Sequence, residues 1–146
     1  MEEARFMKVL IDANVVLDVL LNRAPWVADS KAVWDANHHQ QIEGYVVATT
    51  LTNLFYIARK LVGLPLALQG VCDCLAAFHV VPVDKTVLSE ATTLSGSDYE
   101  DNVLIRCAVA SQMDVIVTRN LADFVHSSVL AITPSDLLAR IKPASS

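Results

Sequence analysis

Apolar residues along this chain fall into two alternating patterns. Phe6-Met7-Lys8-Val9-Leu10-Ile11, Gly44-Tyr45-Val46-Val47, Val80-Val81-Pro82-Val83, Val115-Ile116-Val117 and Val129-Leu130-Ala131-Ile132 are short and mostly β-branched or aliphatic. That is the form of strands buried on both faces. Between them apolar residues return every three or four positions. Val15, Val16, Val19 and Leu20 predict a helix over 15–21 with Asn14 as its cap, broken by Arg23-Ala24-Pro25. A second helix is expected over 27–38, where Ala28, Ala32 and Ala36, or Val27 and Trp34, mark apolar faces. Leu51, Leu54, Phe55, Ala58, Leu61 and Val62 predict a third over 51–62, capped by Thr49 or Thr50 and stopped by Gly63 and Pro65. Further helices are expected over 66–78, 86–94, 99–112 and, after Pro134, 135–141. Pro82 cannot donate to a ladder, so its strand belongs at an edge. Strands alternating with helices predict an α/β fold, a single mostly parallel sheet with helices on both faces.

The polar residues at the ends of these runs carry the chemistry. The first strand gives way to Asp12 and Asn14; Val115-Ile116-Val117 gives way to Thr118-Arg119-Asn120 and then Asp123-Phe124; Asp98-Tyr99-Glu100-Asp101 opens the helix over 99–112. In open α/β sheets the ligand crevice lies beyond the carboxyl ends of the strands, where acids far apart in sequence can meet. Two carboxylates about 5 Å apart at an effective dielectric of roughly 20 repel by about 3 kcal/mol, so such a meeting calls for a cation. An all-oxygen set suits Mg2+ or Mn2+. Asp12 follows a strand and Asn14 is the better-placed cap, which leaves Asp12 for function. Asp98 is explained by capping, whereas Asp101 lies one turn in. Thr118, Asn120 and Asp123 are spaced to converge on a hydrated ion or a phosphate.

Composition narrows the picture. With 146 residues, 53% of them hydrophobic, the chain is expected to form one domain, 1–146, with a core over about 7–141 and a tail, Pro143-Ala144-Ser145-Ser146. No apolar run approaches the roughly 18 residues of a membrane span, and the acidic start lacks the apolar stretch of a signal peptide, so the expected location is cytoplasmic. Cys72, Cys74 and Cys107 form neither a CxxC pair nor a zinc-ligand pattern and are expected to be reduced core thiols. A formal net charge of −5 does not advertise nucleic-acid binding, although Lys31, Arg59, Lys60, Arg106 and Arg119 can border a site. His38, His39 and His126 read as solvated, and the four glycines form no phosphate loop. Trp26, Tyr56 and Tyr99 can stack on bases, though lone aromatics are more often core or rim.

Taken together, Lys8-Val9-Leu10-Ile11-Asp12-Ala13-Asn14-Val15-Val16-Leu17-Asp18, then Asp98-Tyr99-Glu100-Asp101 with Leu104, Ile105 and Ala108, then Val117-Thr118-Arg119-Asn120 with Asp123-Phe124 and Thr133-Pro134, resemble a PIN domain of the VapC-like type. The resemblance runs from about Lys8 to Leu138. It implies a single-sheet α/β fold, commonly dimeric, and a ribonuclease dependent on Mg2+ or Mn2+, in several relatives a toxin restrained by an antitoxin protein. It also implies Asp12, Asp101 and Asp123 as catalytic acids, these three with Asp98 as metal ligands, and Asn14, Asn53, Thr118, Arg119 and Asn120 as substrate-binding or supporting residues. One departure stands out: where the family usually has Glu in the helix after the second strand, this chain has Asn53.

Three readings follow. In the first, the acids hold the cation, Asp101 orients a water for attack on an RNA phosphodiester, and Arg119 or Arg59 steadies the phosphate. In the second, Asn53 marks a domain that binds RNA or a protein without cutting; failure to bind Mn2+ at millimolar levels discriminates it. In the third, Asp12 is the covalent nucleophile of a phosphatase like the haloacid dehalogenases, but the second Asp of that motif is absent and no lysine is suitably placed.

Overall fold

The computed structural model describes residues 6–141. Met1–Arg5 and the tail from Lys142 lie outside the described residues. Five strands, β1 (Lys8–Ile11), β2 (Glu43–Val47), β3 (His79–Val81), β4 (Val115–Val117) and β5 (Ala131–Ile132), form one sheet in the order β3-β2-β1-β4-β5. Every neighbouring pair is parallel, with Leu10 opposite Tyr45 on one side and Ile116 on the other. The chain adds β2 and β3 on one side of β1, then crosses back to place β4 on the other. That reversal opens a crevice beyond the carboxyl ends of β1 and β4, where ligands bind in sheets of this kind. As Pro82 indicates, β3 is an edge strand.

Side-chain alternation along the strands divides the core in two. Val9, Ile11, Val46, Val115, Val117 and Ile132 pack toward helices α1 (Ala13–Leu20), α2 (Val27–His38), α3 (Ala48–Val62), α4 (Leu64–Ala77) and α7 (Pro134–Arg140). Leu10, Val47, Val81 and Ile116 pack on the other face toward α5 (Lys85–Ala91), α6 (Tyr99–Ala110) and a short 3-10 helix, Leu121–Phe124. Sequence periodicity locates all seven α-helices, and α2 and β4 begin and end where expected. The 3-10 helix has too few residues to show a period.

The differences lie at the ends and have local causes. Asp12, not Asn14, caps α1, accepting from Ala13 N–H at 2.8 Å. β2 runs directly into α3, so the cap position falls on Val47, and Thr49 and Thr50 sit inside the helix. Gly63 ends α3 at φ 88° and ψ 169°, a conformation open essentially to glycine alone. Pro65 does not merely stop a helix but starts α4, where its missing N–H costs nothing. Cys74 and Cys107 are buried, and burial pushes their thiols up to about 12 and about 11; Cys72, expected in the core, is exposed on α4.

Candidate active site

Asp12, Asn14, Asn53, Asp98, Glu100, Asp101, Asn120 and Asp123 line one cleft of about 180 Å3 at the carboxyl end of the sheet. Each arrives by a different local route. Asp12 is the first residue past β1. Its side chain is fixed twice: Oδ1 accepts from Ala13 N–H, and Oδ2 accepts from the Thr118 hydroxyl at 2.9 Å. Only 7% of Asp12 is exposed. Asn14 faces the cleft from the first turn of α1 and Asn53 from the second turn of α3. Asp98 caps α6, accepting from Asp101 N–H at 3.1 Å, and places Glu100 and Asp101 in the first turn. There the positive end of the helix dipole favours negative charge. Asn120 and Asp123 come from the loop and 3-10 helix after β4.

The electrostatics of the cleft follow from this crowding. Burial, then the charges of Asp98, Asp12, Asp123 and Glu100, push the Asp101 carboxyl from the usual 3.8 up to about 7. Asp12 is raised mainly by burial, against the lowering effect of its bonds to Thr118 and Ala13. Glu100 is raised by burial and by Asp98 and Asp12.

Several expectations need correction. Thr118 is fully buried and does not face an ion or a phosphate; it holds Asp12, and accepts from Asn120 N–H at 3.1 Å. Arg119 is not available to steady a phosphate. Its Nε donates to Asp18 at 3.0 Å, and its guanidinium stacks 3.9 Å from the Trp26 ring centroid. No Lys or Arg lines the cleft, Arg59 included; Lys31 borders a separate hollow with Trp34 and His38, and Arg106 pairs with Glu90 at 2.8 Å. Trp26 backs Arg119 with one face of its ring, and the Tyr99 hydroxyl donates to Leu88 C=O at 2.7 Å; neither residue lines the cleft.

Sequence reasoning also missed residues. Asp18 is completely buried in α1, where it accepts from Arg23, Arg119 and Ser30. The signal was available: one acid inside Val15-Val16-Leu17-Asp18-Val19-Leu20 needs a buried cation. By gripping Arg119, Asp18 ties α1 to the segment between Thr118 and Asn120, so one ion pair sets the spacing of both sides of the cleft. His126 is half-buried and bonded to Asn102 at 3.0 Å, not simply solvated. Glu100 and Thr50 also line the cleft.

The donor set fits a hard divalent cation: it is all oxygen, and raised carboxyls mark repulsion that such an ion relieves. Among the described residues, no three Asp, Glu, His or Cys side chains stand close enough to close a coordination shell by themselves. Mg2+ commonly takes one or two carboxylates and completes its shell with water and substrate phosphate, so a wide cleft of this kind is compatible with it.

Comparison with known proteins agrees with this architecture. The chain is similar in fold to a VapBC complex bound to DNA from Salmonella typhimurium, at TM-score 0.69 and 17% identity over 88% of this chain and 99% of that one. It is similar to a toxin-antitoxin complex from Klebsiella pneumoniae, at TM-score 0.65 and 18% identity over 86% of this chain and 97% of that one. A third is VapC20 of Mycobacterium tuberculosis, a sarcin-ricin loop cleaving toxin, at TM-score 0.62 and 8% identity over 74% of this chain and 86% of that one. No curated protein matches the chain by sequence. The PIN domain family model matches residues 8–122, most of the chain and all of the strands and acids that build the cleft except the edge β5 and Asp123. The chain belongs to the PIN domain family.

Proposed function

We propose that this protein is a ribonuclease that hydrolyses RNA phosphodiesters with Mg2+ or Mn2+, acting as the cytoplasmic toxin of a toxin-antitoxin pair. The observation that carries the proposal is the gathering of Asp12, Asp98, Asp101 and Asp123 in one cleft that no Lys or Arg lines, where burial first and then the neighbouring acids raise the Asp101 carboxyl to about 7. Asp12, Asp101 and Asp123, with Asp98 beside them, would hold the ion, one or two of them directly and the others through its bound waters. When bound, it polarises the phosphate and acidifies a water. Asp12 is pinned by Thr118 and Ala13, so it is the rigid acid of the set. Asp101, on a first turn open to the cleft, orients the attacking water. Asn14, Asn53 and Asn120 can donate to phosphate oxygens or ribose without adding charge, which partly replaces the missing arginines. Two of the three solved neighbours described above are a toxin-antitoxin complex and a VapBC complex, which supports an antitoxin as partner. Exposed Tyr56, Leu61, Leu66 and Leu68 on α3 and α4 support a homodimer.

The test is cleavage of single-stranded RNA by the purified chain with Mg2+ or Mn2+, beside an Asp101→Asn variant. Cleavage is expected from the parent and loss of at least about a hundredfold from the variant, the scale of general-base or metal-ligand loss. A folded variant that cuts at the parent rate overturns the assignment. Asn53 in place of the usual acid favours a second reading, a domain that binds RNA or protein without cutting. Titration separates the two: absence of Mn2+ binding at millimolar levels selects the second.

A further inference from the structure

Beside the metal cleft, and sharing Asp98, Asp101 and Asp123 with it, lies a second hollow of about 280 Å3. Its remaining walls are Ser95, Gly96, Ser97, Ala122, Val125 and His126. No Lys or Arg lines it.

His126 is held there with a defined tautomer. Asn102 is 4% exposed, and its Nδ2 donates to Gly96 C=O at 2.8 Å, which turns its Oδ1 toward the histidine. Oδ1 accepts only, so His126 Nε2, 3.0 Å away, carries the hydrogen. In the neutral ring the lone pair is therefore at Nδ1, which makes no hydrogen bond among the described residues. Gly96 completes the clamp. A Cβ at Gly96 would overlap His126 Cε1 and Nε2 and Asn102 Oδ1, so only glycine lets the loop close on the ring.

His126 and three carboxylates line the hollow beside a small apolar platform of Ala122 and the 82% exposed Val125, and the ring atom of His126 left without a bond is the acceptor Nδ1. With no Lys or Arg among its walls and its carboxylates turned over to the ion in the nuclease reading, the hollow leaves His126 as the acceptor that meets a group rich in donors. Its volume falls below the roughly 300–1,000 Å3 of pockets for drug-sized ligands, which suits a single nucleoside. We propose that His126, clamped by Asn102 and Gly96, is a specificity-determining residue: it receives the nucleoside next to the scissile phosphate, accepting at Nδ1 from a ribose hydroxyl or a base amine. This rests on the nuclease reading above. A 2′-hydroxyl there would favour RNA over DNA.

The test is steady-state cleavage of a short single-stranded RNA by the full chain with Mn2+, comparing the parent with His126→Gln and His126→Asn. Glutamine keeps an amide N–H near the Nε2 position for Asn102 but loses the Nδ1 acceptor. Asparagine keeps an acceptor near Nδ1 but loses the bond to Asn102. Loss of one hydrogen bond predicts KM up by about three- to tenfold in His126→Gln, with kcat, Mn2+ affinity and Tm near the parent's. His126→Asn should recover much of the KM despite a lower Tm. A 2′-deoxy nucleotide or an abasic site beside the cleaved bond should remove the difference between parent and His126→Gln, and which one does so identifies the hydroxyl or the base. Parent-like KM in His126→Gln, no recovery in His126→Asn, or indifference to both substrate changes overturns the proposal while leaving the nuclease reading standing. A parent that neither binds Mn2+ nor cuts RNA overturns both.

Discussion

At the scale of single residues, the cleft trades stability for charge. The Asp101 carboxyl is raised to about 7 in the folded chain from 3.8. A raised acid stabilises the fold only while protonated: its contribution is fully present below about pH 4 and is lost as pH rises through about 7. Asp12 and Glu100 are raised in the same direction. Asp101→Asn, which cannot ionise, should therefore be more stable than the parent at pH 8 in EDTA, by about 1–2 kcal/mol once solvent screening of this half-exposed group is discounted, and equal to it near pH 4. Thermal unfolding at the two pH values checks this, and a variant less stable than the parent at pH 8 would show that the acids are not in conflict. Thr118→Val works the other way. It leaves shape intact but removes the hydroxyl that donates to buried Asp12, so it should cost about 1.5–3 kcal/mol, read as a lower denaturant midpoint with unchanged slope. Because that bond holds the Asp12 pKa down, its loss should also weaken Mn2+ binding, and more so as the pH is lowered.

At the scale of elements, what was legible in the sequence depended on whether the signal was local. Buried strands such as Val115-Ile116-Val117 and the period of Leu51, Leu54 and Ala58 come from burial alone, so the sheet, the helices and the gathering of Asp12, Asp101 and Asp123 could be read from spacing. Choices decided by partners could not. Asn14 and Asp12 are equally good caps in isolation, and only the end of β1 fixes which one serves. Arg119 looks like a phosphate ligand until Asp18, 101 positions away, is seen to hold it. The same long-range pair makes a prediction: Asp18→Asn should cost about 3 kcal/mol, because two arginines lose a fully buried counter-charge, and it should loosen the loop carrying Asn120 and Asp123. Amide exchange over 118–124 would register that, and unchanged protection there would sever α1 from the site. Gly63 sets the α3–α4 junction by backbone alone: Gly63→Ala should cost about 1–3 kcal/mol by chemical denaturation without touching the cleft.

At the scale of the whole molecule, a net charge of −5 and a cleft lined by acids pose a question about RNA that no single residue answers. Proteins that hold RNA through a basic face release counterions, so their affinity falls steeply with salt, by about 0.7 per phosphate neutralised on a log-log plot for single strands. Here Arg23 and Arg119 are taken by Asp18, Arg106 by Glu90, and Lys8 Nζ donates to Ser111 C=O; none of these cations lines the cleft, although Arg119 stands near enough to lower the Asp12 carboxyl. Within the cleft the attraction for phosphate must then come from the divalent ion. RNA binding should be weak in EDTA, rise with Mn2+ in step with occupancy of the acids, and depend only shallowly on KCl, with a slope magnitude below about 2. Asn53→Glu, which adds a carboxylate to the same cleft, should tighten Mn2+ and shift the RNA-binding curve to lower Mn2+ together. A domain that merely held RNA would show the opposite signature, binding in EDTA with a steep salt slope, and fluorescence anisotropy with Mn2+ and KCl varied independently tells the two apart. Should RNA bind equally well with and without Mn2+, the acids would be a feature of the fold's electrostatics and not the means by which it meets its substrate.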